Sequence, residues 1–236
     1  TSIGRAGTID NEGINTSINS RGTHISGFGN SSKNSNNSAI FAALSSSITS
    51  SERATVVAGV ANILDASPDS MIIGASGSEV RSGSFNAIIG GQENKIETSA
   101  WGGLDAVGRG HIIIGGLNNN ITGSVTYRNS IIGSQGSKIT ATGHASNQSV
   151  NNIVMGGQSN TMFGVQRSAI LGGFEHTMGA FPKLNELGID CVIIGGRQNH
   201  ISNSVQRSAV IGGTGISASA DDTVYVPNLN VQGSLT

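Results

Sequence analysis

Ten similar stretches of apolar and small residues recur along the chain, and residues 87–96 show the pattern most clearly. Ile88 is position one of this pattern, Ile89 is position two, two glycines follow at positions three and four, and Ile96 is position nine. Position one is Ile40, Val56, Ile72, Ile88, Ile113, Ile131, Val154, Ile170, Ile193 and Val210. Self-similarity of this kind is the signature of a repeat architecture, in which each unit packs on its neighbours.

The repeat unit is too short for a pair of helices, and its composition favours strands. At its tightest the pattern returns every 16 residues, as from Val57 to Ile73 to Ile89. Branched residues favour strands, and the Gly, Ser and Asn residues between them favour turns. At roughly 3.3 Å per residue, one unit makes a small coil of two short strands and two turns. The sequence therefore predicts an all-β, β-roll-like parallel β-solenoid, a rod on the order of 50 Å long.

Positions one and two are both apolar, although adjacent strand residues point to opposite sides of a sheet. The predicted core columns comprise Ile72, Ile73, Ile88, Ile89, Ile113, Ile114, Ile193 and Ile194. A lone rod would leave one of these columns in water, and soluble monomers avoid a long exposed apolar patch. We therefore expect one column to fill the coil and the other to face partner chains.

The repeat resembles a known family of surface proteins. The segments Asn-Ser-Ile-Ile-Gly-Ser at 129–134 and Ser-Ala-Ile-Leu-Gly-Gly at 168–173 are similar to the Asn-Ser-Val-Ala-Ile-Gly repeats of YadA-like heads. Those heads belong to trimeric autotransporter adhesins, and similar repeats occur in viral tail fibres. The resemblance covers roughly residues 14–215 and implies a homotrimer of left-handed parallel β-rolls. This sequence differs in its longer unit and in a second branched residue where the family has Ala.

The pattern divides the chain into three parts. Residues 1–36 are predicted to form degenerate N-terminal coils, residues 37–220 the regular solenoid, and residues 221–236 a C-terminal connector. In the connector the alternation of Val224, Val226, Leu229 and Val231 favours a strand. The connector resembles, more weakly, the linker that precedes the C-terminal chaperone domain of viral tail fibres.

Extra residues enter the repeat at one place, between position nine and the next strand. The expanded segments are 26–37, 97–110, 140–151 and 179–190. A constant insertion point predicts that they emerge from one edge of the rod, and repeat proteins often bind partners at such an edge. The candidate receptor-binding residues in these segments are Trp101, His144, Phe181, Lys183 and Glu186. Two alternatives remain open: aromatic residues that pack the loops onto the rod, and longer units that form three-stranded coils.

Charged residues alternate along a second column. Numbering backwards from position one, position zero is Ala87 and position minus two is Phe85. In successive copies position minus two is Arg53, Asp69, Phe85, Gly110, Arg128, Asn151, Arg167, Asp190 and Arg207. Because equivalent positions stack about 4.8 Å apart, Arg53 is predicted to lie over Asp69, and Asp190 between Arg167 and Arg207.

Composition bears on several classes of function. Only 11% of the 236 residues are charged, the net charge is −1, and no basic run is present, which argues against nucleic-acid binding. No apolar run approaches the roughly 20 residues of a membrane span. One cysteine, Cys191, excludes an intrachain disulfide. The scattered His, Asp and Glu residues predict no catalytic, metal or cofactor site, and the adjacent acids Asp221 and Asp222 lack the usual calcium ligand set.

These observations favour a structural, adhesive fibre segment on a virion, an injection device or a cell surface. Its expected partners are two further copies of the chain, a cell-surface glycan or protein receptor, and other fibre or baseplate proteins. The main alternative is a polysaccharide depolymerase on a trimeric tail fibre, for which only Tyr127 with Arg128 suggests a site. An ice-binding solenoid is less favoured, because its threonine array would be regular.

Overall fold

The chain folds into a parallel β-solenoid. The structure, a computed structural model, describes residues 2–3, 8–9, 15–98, 108–123, 126–141, 149–179 and 188–228. Across those ranges every regular element is a strand, and the strands pair in parallel with their equivalents in the next coil. Two sheets of 13 strands run along the rod, and a third sheet of four short strands lies at one corner.

Each long sheet is built from one strand of every coil. The position-one sheet contains Thr8–Ile9, His24–Phe28, Ala39–Leu44, Thr55–Val57, Met71–Ile73, Ala87–Ile89, Ile112–Ile114, Ser130–Ile132, Ile153–Met155, Ala169–Leu171, Val192–Ile194, Ala209–Ile211 and Val224–Tyr225. The position-nine sheet contains Ser2–Ile3, Thr16–Ile18, Ser31–Lys33, Ser47–Thr49, Ile63–Asp65, Glu79–Arg81, Lys95–Glu97, Asn120–Thr122, Lys138–Thr140, Thr161–Phe163, Thr177–Met178, His200–Ile201 and Ser217–Ala218. The two strands per coil that the repeat predicts are therefore the ones that form the two long sheets.

The corner sheet contains Thr126–Tyr127, Ser149–Val150, Val165–Gln166 and Gly188–Ile189. These residues give some coils a third strand, which was the alternative interpretation of the longer units. Extra length is not its cause, because the 16-residue unit from Ile153 to Ala169 carries the corner strand Val165–Gln166 as well. The corner strand therefore belongs to the turn that precedes the position-one strand.

Equivalent apolar residues stack on one another inside the rod. Ile88 pairs in register with Ile72 on one side and with Ile113 on the other, and Ile96 pairs with Val80 in the opposite sheet. All of these side chains are fully buried. Burying one branched side chain contributes roughly 1.5–3 kcal/mol, so the two inward columns supply most of the stabilisation of this aromatic-poor chain.

Polar ladders connect the coils at the corners. The position-seven residues Asn62, Ser78, Asn94 and Asn119 are buried, and the side-chain oxygen of each accepts the backbone N–H of its equivalent in the next coil. Asn94 accepts the Asn119 N–H at 3.0 Å. A buried amide without a partner is costly, so this ladder fixes the register between neighbouring coils. The left-handed backbone lies at position six, as at Glu93 with φ 54°, rather than at position seven.

Small residues at position four allow the coils to approach closely. Gly91 has φ 83°, and a Cβ there would lie 2.5 Å from the carbonyl oxygen of Gly116 in the next coil. Such a contact is sterically excluded, and the positive φ is itself unfavourable for larger residues. Close stacking therefore requires glycine in this coil, whereas Ala43, Ala75 and Ser134 occupy position four in other coils without a positive φ.

One detail of the N-terminal prediction is wrong, and one N-terminal strand departs from the apolar pattern. Segment 26–37 is not an insertion: it holds the strand Ser31–Lys33, which pairs with Thr16–Ile18 and Ser47–Thr49 in the position-nine sheet. Ile18 is also not an inward residue, since the neighbouring Ser17 is buried and pairs with buried Ser32. Serines replace isoleucine at the inward position here, which hides the repeat from an apolar pattern.

The solenoid extends into the segment predicted to be a C-terminal connector. Val224–Tyr225 is the last described strand of the position-one sheet, and Tyr225 pairs with the position-one residue Val210. Tyr225 packs against the core and Val224 is 62% exposed, so Tyr225 is the inward residue of this strand. The Tyr225 hydroxyl accepts backbone N–H groups from Ser219 and Ala220. Leu229 and Val231 lie outside the described residues.

Candidate functional site

The eight residues of the predicted core columns separate into two sets. Ile72, Ile88, Ile113 and Ile193 have no exposed surface and fill the coil. Their position-two neighbours point the other way and form part of the outer surface of the chain: Ile73, Ile89, Ile114 and Ile194 are 36%, 39%, 40% and 41% exposed. Position two is therefore a surface column of the isolated chain.

The outer side of the position-one sheet is apolar along the rod, and we call it the apolar face. Position two supplies one of its columns, and position zero supplies the other. The exposed members include Phe41, Met71, Ile73, Ile89, Ile112, Ile114, Met155, Ile194 and Ile211. Ten coils at about 4.8 Å, with about 10 Å of strand across each, make a patch on the order of 500 Å². Soluble monomers rarely expose a patch of this size without a function for it.

The outer side of the position-nine sheet has a different character. Its positions eight and ten are mostly polar, and in two neighbouring strands the charged residues Glu79, Arg81, Lys95 and Glu97 form a network. Lys95 lies 2.6 Å from Glu97. Exposed ion pairs contribute only about 0–1 kcal/mol each, so this surface is suited to water rather than to burial. The rod therefore has one apolar and one polar side.

Ion pairs occupy the charged column at position minus two. Arg53 lies 2.5 Å from Asp69 and Arg167 lies 2.7 Å from Asp190, each through two parallel hydrogen bonds. Asp190 follows an insertion and still stacks on Arg167. The strands on either side, Ala169–Leu171 and Val192–Ile194, are likewise paired in register. The insertion therefore leaves the stacking of the coils intact.

One partner in this column differs from the prediction. Arg207 pairs with Asp222 at 2.5 Å and not with Asp190, so Asp190 does not bridge two arginines. In all three pairs the arginine reaches the aspartate one coil closer to the C-terminus, and Asp190 is already occupied by Arg167. Asp222 follows Arg207 by 15 residues, a spacing that places it in the same column and could have been recognised from the sequence.

The paired arginines alter the ionisation of the column. Hydrogen bonds from Arg53, Arg167 and Arg207 lower the pKa of Asp69, Asp190 and Asp222 respectively. These aspartates thus stay ionised at mildly acidic pH. Because the groups are exposed and screened by solvent, the column contributes register and local charge more than stability.

The insertions share one corner of the rod, which we call the insertion edge. It consists of positions minus three and minus two together with the residues where each insertion begins and ends. The insertions follow Thr98, Gly123, Ala141 and Gly179 and precede Gly108, Thr126, Ser149 and Gly188. Each begins after a position-nine strand and ends just before the turn into a position-one strand. The described ends of segments 97–110, 140–151 and 179–190 therefore leave from the same edge.

All five residues predicted to contact a receptor lie on these insertions and outside the described residues. They are Trp101, His144, Phe181, Lys183 and Glu186. Their placement on the insertion edge rests on the ends of the segments alone, and their role stays a prediction.

Two histidines occupy ladder positions at which neighbouring coils have asparagine, one in the position-seven ladder and one in an equivalent ladder at position minus one. His111 occupies position minus one; its Nδ1 accepts the Asn129 N–H at 3.2 Å, and its Nε2 lies 3.0 Å from the Thr126 hydroxyl. Burial lowers the pKa of His111 to about 4. Burial also lowers the pKa of His176, whose Nδ1 accepts the Asn199 N–H in the position-seven ladder. Both histidines accept a hydrogen bond that a protonated ring could not accept.

Acid should therefore destabilise the solenoid. Below pH 6.5 the unfolded chain takes up a proton at His111 that the folded chain refuses until about pH 4. Unfolding free energy should fall by up to about 1.4 kcal/mol per pH unit for this residue across that window. His111→Asn, which matches Asn86 and Asn129 in the same column, should flatten the dependence measured by urea unfolding at pH 7 and pH 5. His24→Asn, on the outer side of the sheet, should retain it. Equal slopes for the wild type and His111→Asn would contradict this role.

In the described ranges, no group of three or more His, Cys, Asp or Glu side chains could hold a metal ion. Tyr127 and Arg128, the candidate depolymerase residues, lie in the corner strand and the turn that follows it. Between Asp69 and Asp190, the described residues at positions minus three and minus two of the insertion edge carry no carboxylate that could act as an acid or base beside them. No helix long and apolar enough to cross a membrane occurs in the described part of the chain.

Comparison with known proteins adds no assignment. No protein-family model matches the chain. A search of curated proteins also finds no match. The apolar face and the insertion edge are therefore the two features from which a function can be argued.

Proposed function

We propose that the chain is a structural segment of a fibre, which assembles as a homotrimer and presents a receptor-binding edge. The observation that carries this proposal is the apolar face, which is continuous along the rod and has a polar side opposite it. A stable interface buries about 800 Å² on each partner, so an apolar patch on the order of 500 Å² forms a large part of one. Cyclic association of identical chains covers this face on every copy.

The shape and surface of the rod support an adhesive role. A solenoid with fixed coil spacing projects its ends over a defined distance, and its insertions vary without disturbing the stacked core. Insertions that share one edge place variable residues side by side on a rigid support, as in other binding proteins. This organisation suits a fibre on a virion, an injection device or a cell surface, with a glycan or protein receptor as the partner. Other fibre or baseplate proteins would adjoin its ends.

The assembly is tested by the mass of the protein in solution. Light scattering at micromolar concentration should give a mass of about three times 23.9 kDa. Melting temperature should also rise with protein concentration, because association stabilises the folded chain. A monomeric mass across the concentration range, with a constant melting temperature, would contradict the proposed assembly.

The role of the insertion edge is tested by shortening one loop. Gly164 alone connects the strand Thr161–Phe163 to the corner strand Val165–Gln166, so the fold itself provides a short crossing of this corner. Replacing residues 180–187 with one glycine should leave the melting temperature and the mass unchanged while weakening attachment to host cells. The same replacement of residues 142–148 tests the neighbouring loop. If both shortened variants attach to host cells as well as the wild type does, these loops do not contribute to receptor binding.

A further inference from the structure

One stretch of the insertion edge lacks the ion pairs that occupy the rest of it. At position minus two the arginines Arg53, Arg167 and Arg207 each pair with an aspartate in the following coil. Arg128 is followed by Asn151 at the equivalent position, and it forms no ion pair with a described residue. Among the described residues, the column therefore presents one guanidinium group that no carboxylate neutralises.

A second arginine lies beside it. Arg109 is exposed at position minus three of the preceding coil, and its carbonyl accepts the Arg128 N–H at 3.0 Å. Arg109 also bridges to Tyr127 in the corner strand. Arg109 has no ion-pair partner among the described residues either, and its backbone bridge to Tyr127 places these two residues side by side in neighbouring coils. The whole chain carries a net charge of −1, so this concentration of positive charge is local.

An aromatic residue completes the patch. Phe85, at position minus two, is 59% exposed and has φ 58°, a backbone conformation that is unfavourable for a bulky side chain. The next residue of the column is Gly110, so within the column no other residue places a side chain between Phe85 and Arg128, which lies two coils away, roughly 10 Å along the rod. The other members of the column share this left-handed backbone, and Phe85 is the member that places an exposed aromatic side chain on it.

From these contacts we propose that Phe85, Arg109, Tyr127 and Arg128 form a binding site for an acidic saccharide that bears carboxylate groups. A guanidinium group binds a carboxylate through two parallel hydrogen bonds, and the pairs elsewhere in this column show that geometry. The apolar face of a pyranose ring stacks on an exposed aromatic ring, and the Tyr127 hydroxyl can exchange hydrogen bonds with sugar hydroxyls. Because Gly110 adds no side chain to the column between Phe85 and Arg128, an oligosaccharide that runs along the rod can contact both residues. The inference deepens the proposed function, because it specifies the ligand class of the receptor-binding edge.

The position of the patch agrees with this assignment. Gly108, at the end of the first long insertion, precedes Arg109, and Ala141 and Ser149 flank the next long insertion one coil beyond Arg128. A ligand held on this patch would therefore lie between the bases of two insertions. The carboxylates nearest along the column, Asp69 and Asp190, are each occupied by an arginine of their own and do not repel an anionic ligand from this site.

Calorimetric titration with two forms of one polymer tests the site. The probe is an oligomer of polysialic acid, and the comparison is the same oligomer with its carboxyl groups reduced to alcohols. The full chain should bind the acidic form and lose about tenfold or more in affinity for the reduced form. Equal affinity for both forms, or no binding of the acidic form, would overturn the proposal.

Matched substitutions in one column separate this site from general charge effects. Arg128→Gln and Arg109→Gln should each weaken binding of the acidic oligomer by about tenfold. Phe85→Asn, which suits the left-handed backbone, should weaken binding while maintaining or raising the melting temperature. Arg167→Gln removes the same charge from the same column at a residue already paired with Asp190, so it should leave affinity unchanged. Equal losses for Arg167→Gln and Arg128→Gln would show that net charge alone attracts the oligomer and would overturn the site.

The result of the saccharide-binding experiment is independent of the result of the light-scattering test of assembly. A trimer that binds no acidic saccharide rejects the site and leaves the proposed fibre intact. A monomer that binds the acidic oligomer through Arg128 rejects the proposed assembly and leaves the site intact.

Discussion

Replacing Ile88 with aspartate is expected to unfold the solenoid, at a cost of about 4 kcal/mol or more in unfolding free energy. Ile88 has no exposed surface and stacks between Ile72 and Ile113 in the inward column. A carboxylate there would lose its water, and the surrounding isoleucine side chains offer it neither a charge partner nor a hydrogen bond. The effect should spread beyond one coil, because each coil covers the apolar residues of its neighbours.

Thermal unfolding followed by circular dichroism measures this effect. Ile88→Val is the matched control, since Val56, Val154 and Val210 already occupy the same position, and it should cost only about 0.5–1.5 kcal/mol. A melting temperature for Ile88→Asp within a few degrees of the wild type would mean that position one is not the inward column.

Replacing Ile89 with aspartate should have a different result, although the two residues are adjacent. Ile89 is 39% exposed on the apolar face, so the isolated chain can keep its coils and hydrate the new carboxylate. If copies of the chain pack through this face, the carboxylate is buried between them and association fails. We expect the mass measured by light scattering to fall to that of one chain. The β-sheet signal should be retained at low temperature, and the melting temperature should lose its dependence on concentration.

A control for this prediction is available on the polar side of the same coil. Lys95→Asp changes an exposed residue of the position-nine sheet and should leave the assembly unchanged. Dissociation by Lys95→Asp and not by Ile89→Asp would place the interface on the polar side. An unchanged mass for both variants would show that neither face holds copies of the chain together.

The charged column shows how far a sequence pattern can predict contacts. Stacking at constant spacing brings Arg53 to Asp69 and Arg167 to Asp190 even though an insertion separates the second pair. The pattern does not show which neighbour along the column an arginine reaches, and Arg207 pairs with Asp222 rather than with the predicted Asp190. The direction in which an arginine side chain leans along the column is decided by the local backbone and by which carboxylate is already occupied.

The candidate site was less accessible to sequence reasoning than the fold. Trp101 and Phe181 are predicted receptor-binding residues because large aromatic residues are rare in this chain, yet they lie outside the described residues. Phe85 and Arg128 are members of the charged column, but the sequence pattern of that column indicates no function for either residue. Arg128 becomes notable because no described carboxylate stacks on it, as one does on the other arginines of the column. Arg109 belongs to the same site because its backbone pairs with that of Tyr127 in the next coil.

The sequence by itself determined the repeat, the parallel stacking of its coils, their length and the register between them. These properties follow from periodicity, because equivalent residues must stack when every coil has the same length or carries its extra residues at one place. The charged neighbours of Ile96, Lys95 and Glu97, also show that position nine points inward. Only the tertiary structure showed which of positions one and two faces the core. Ile88 has apolar neighbours on both sides, so the alternation of apolar and polar residues that identifies an inward face is missing here. The fully closed coil resolves this choice: its turn length places position one opposite position nine, and the second apolar column is left on the surface.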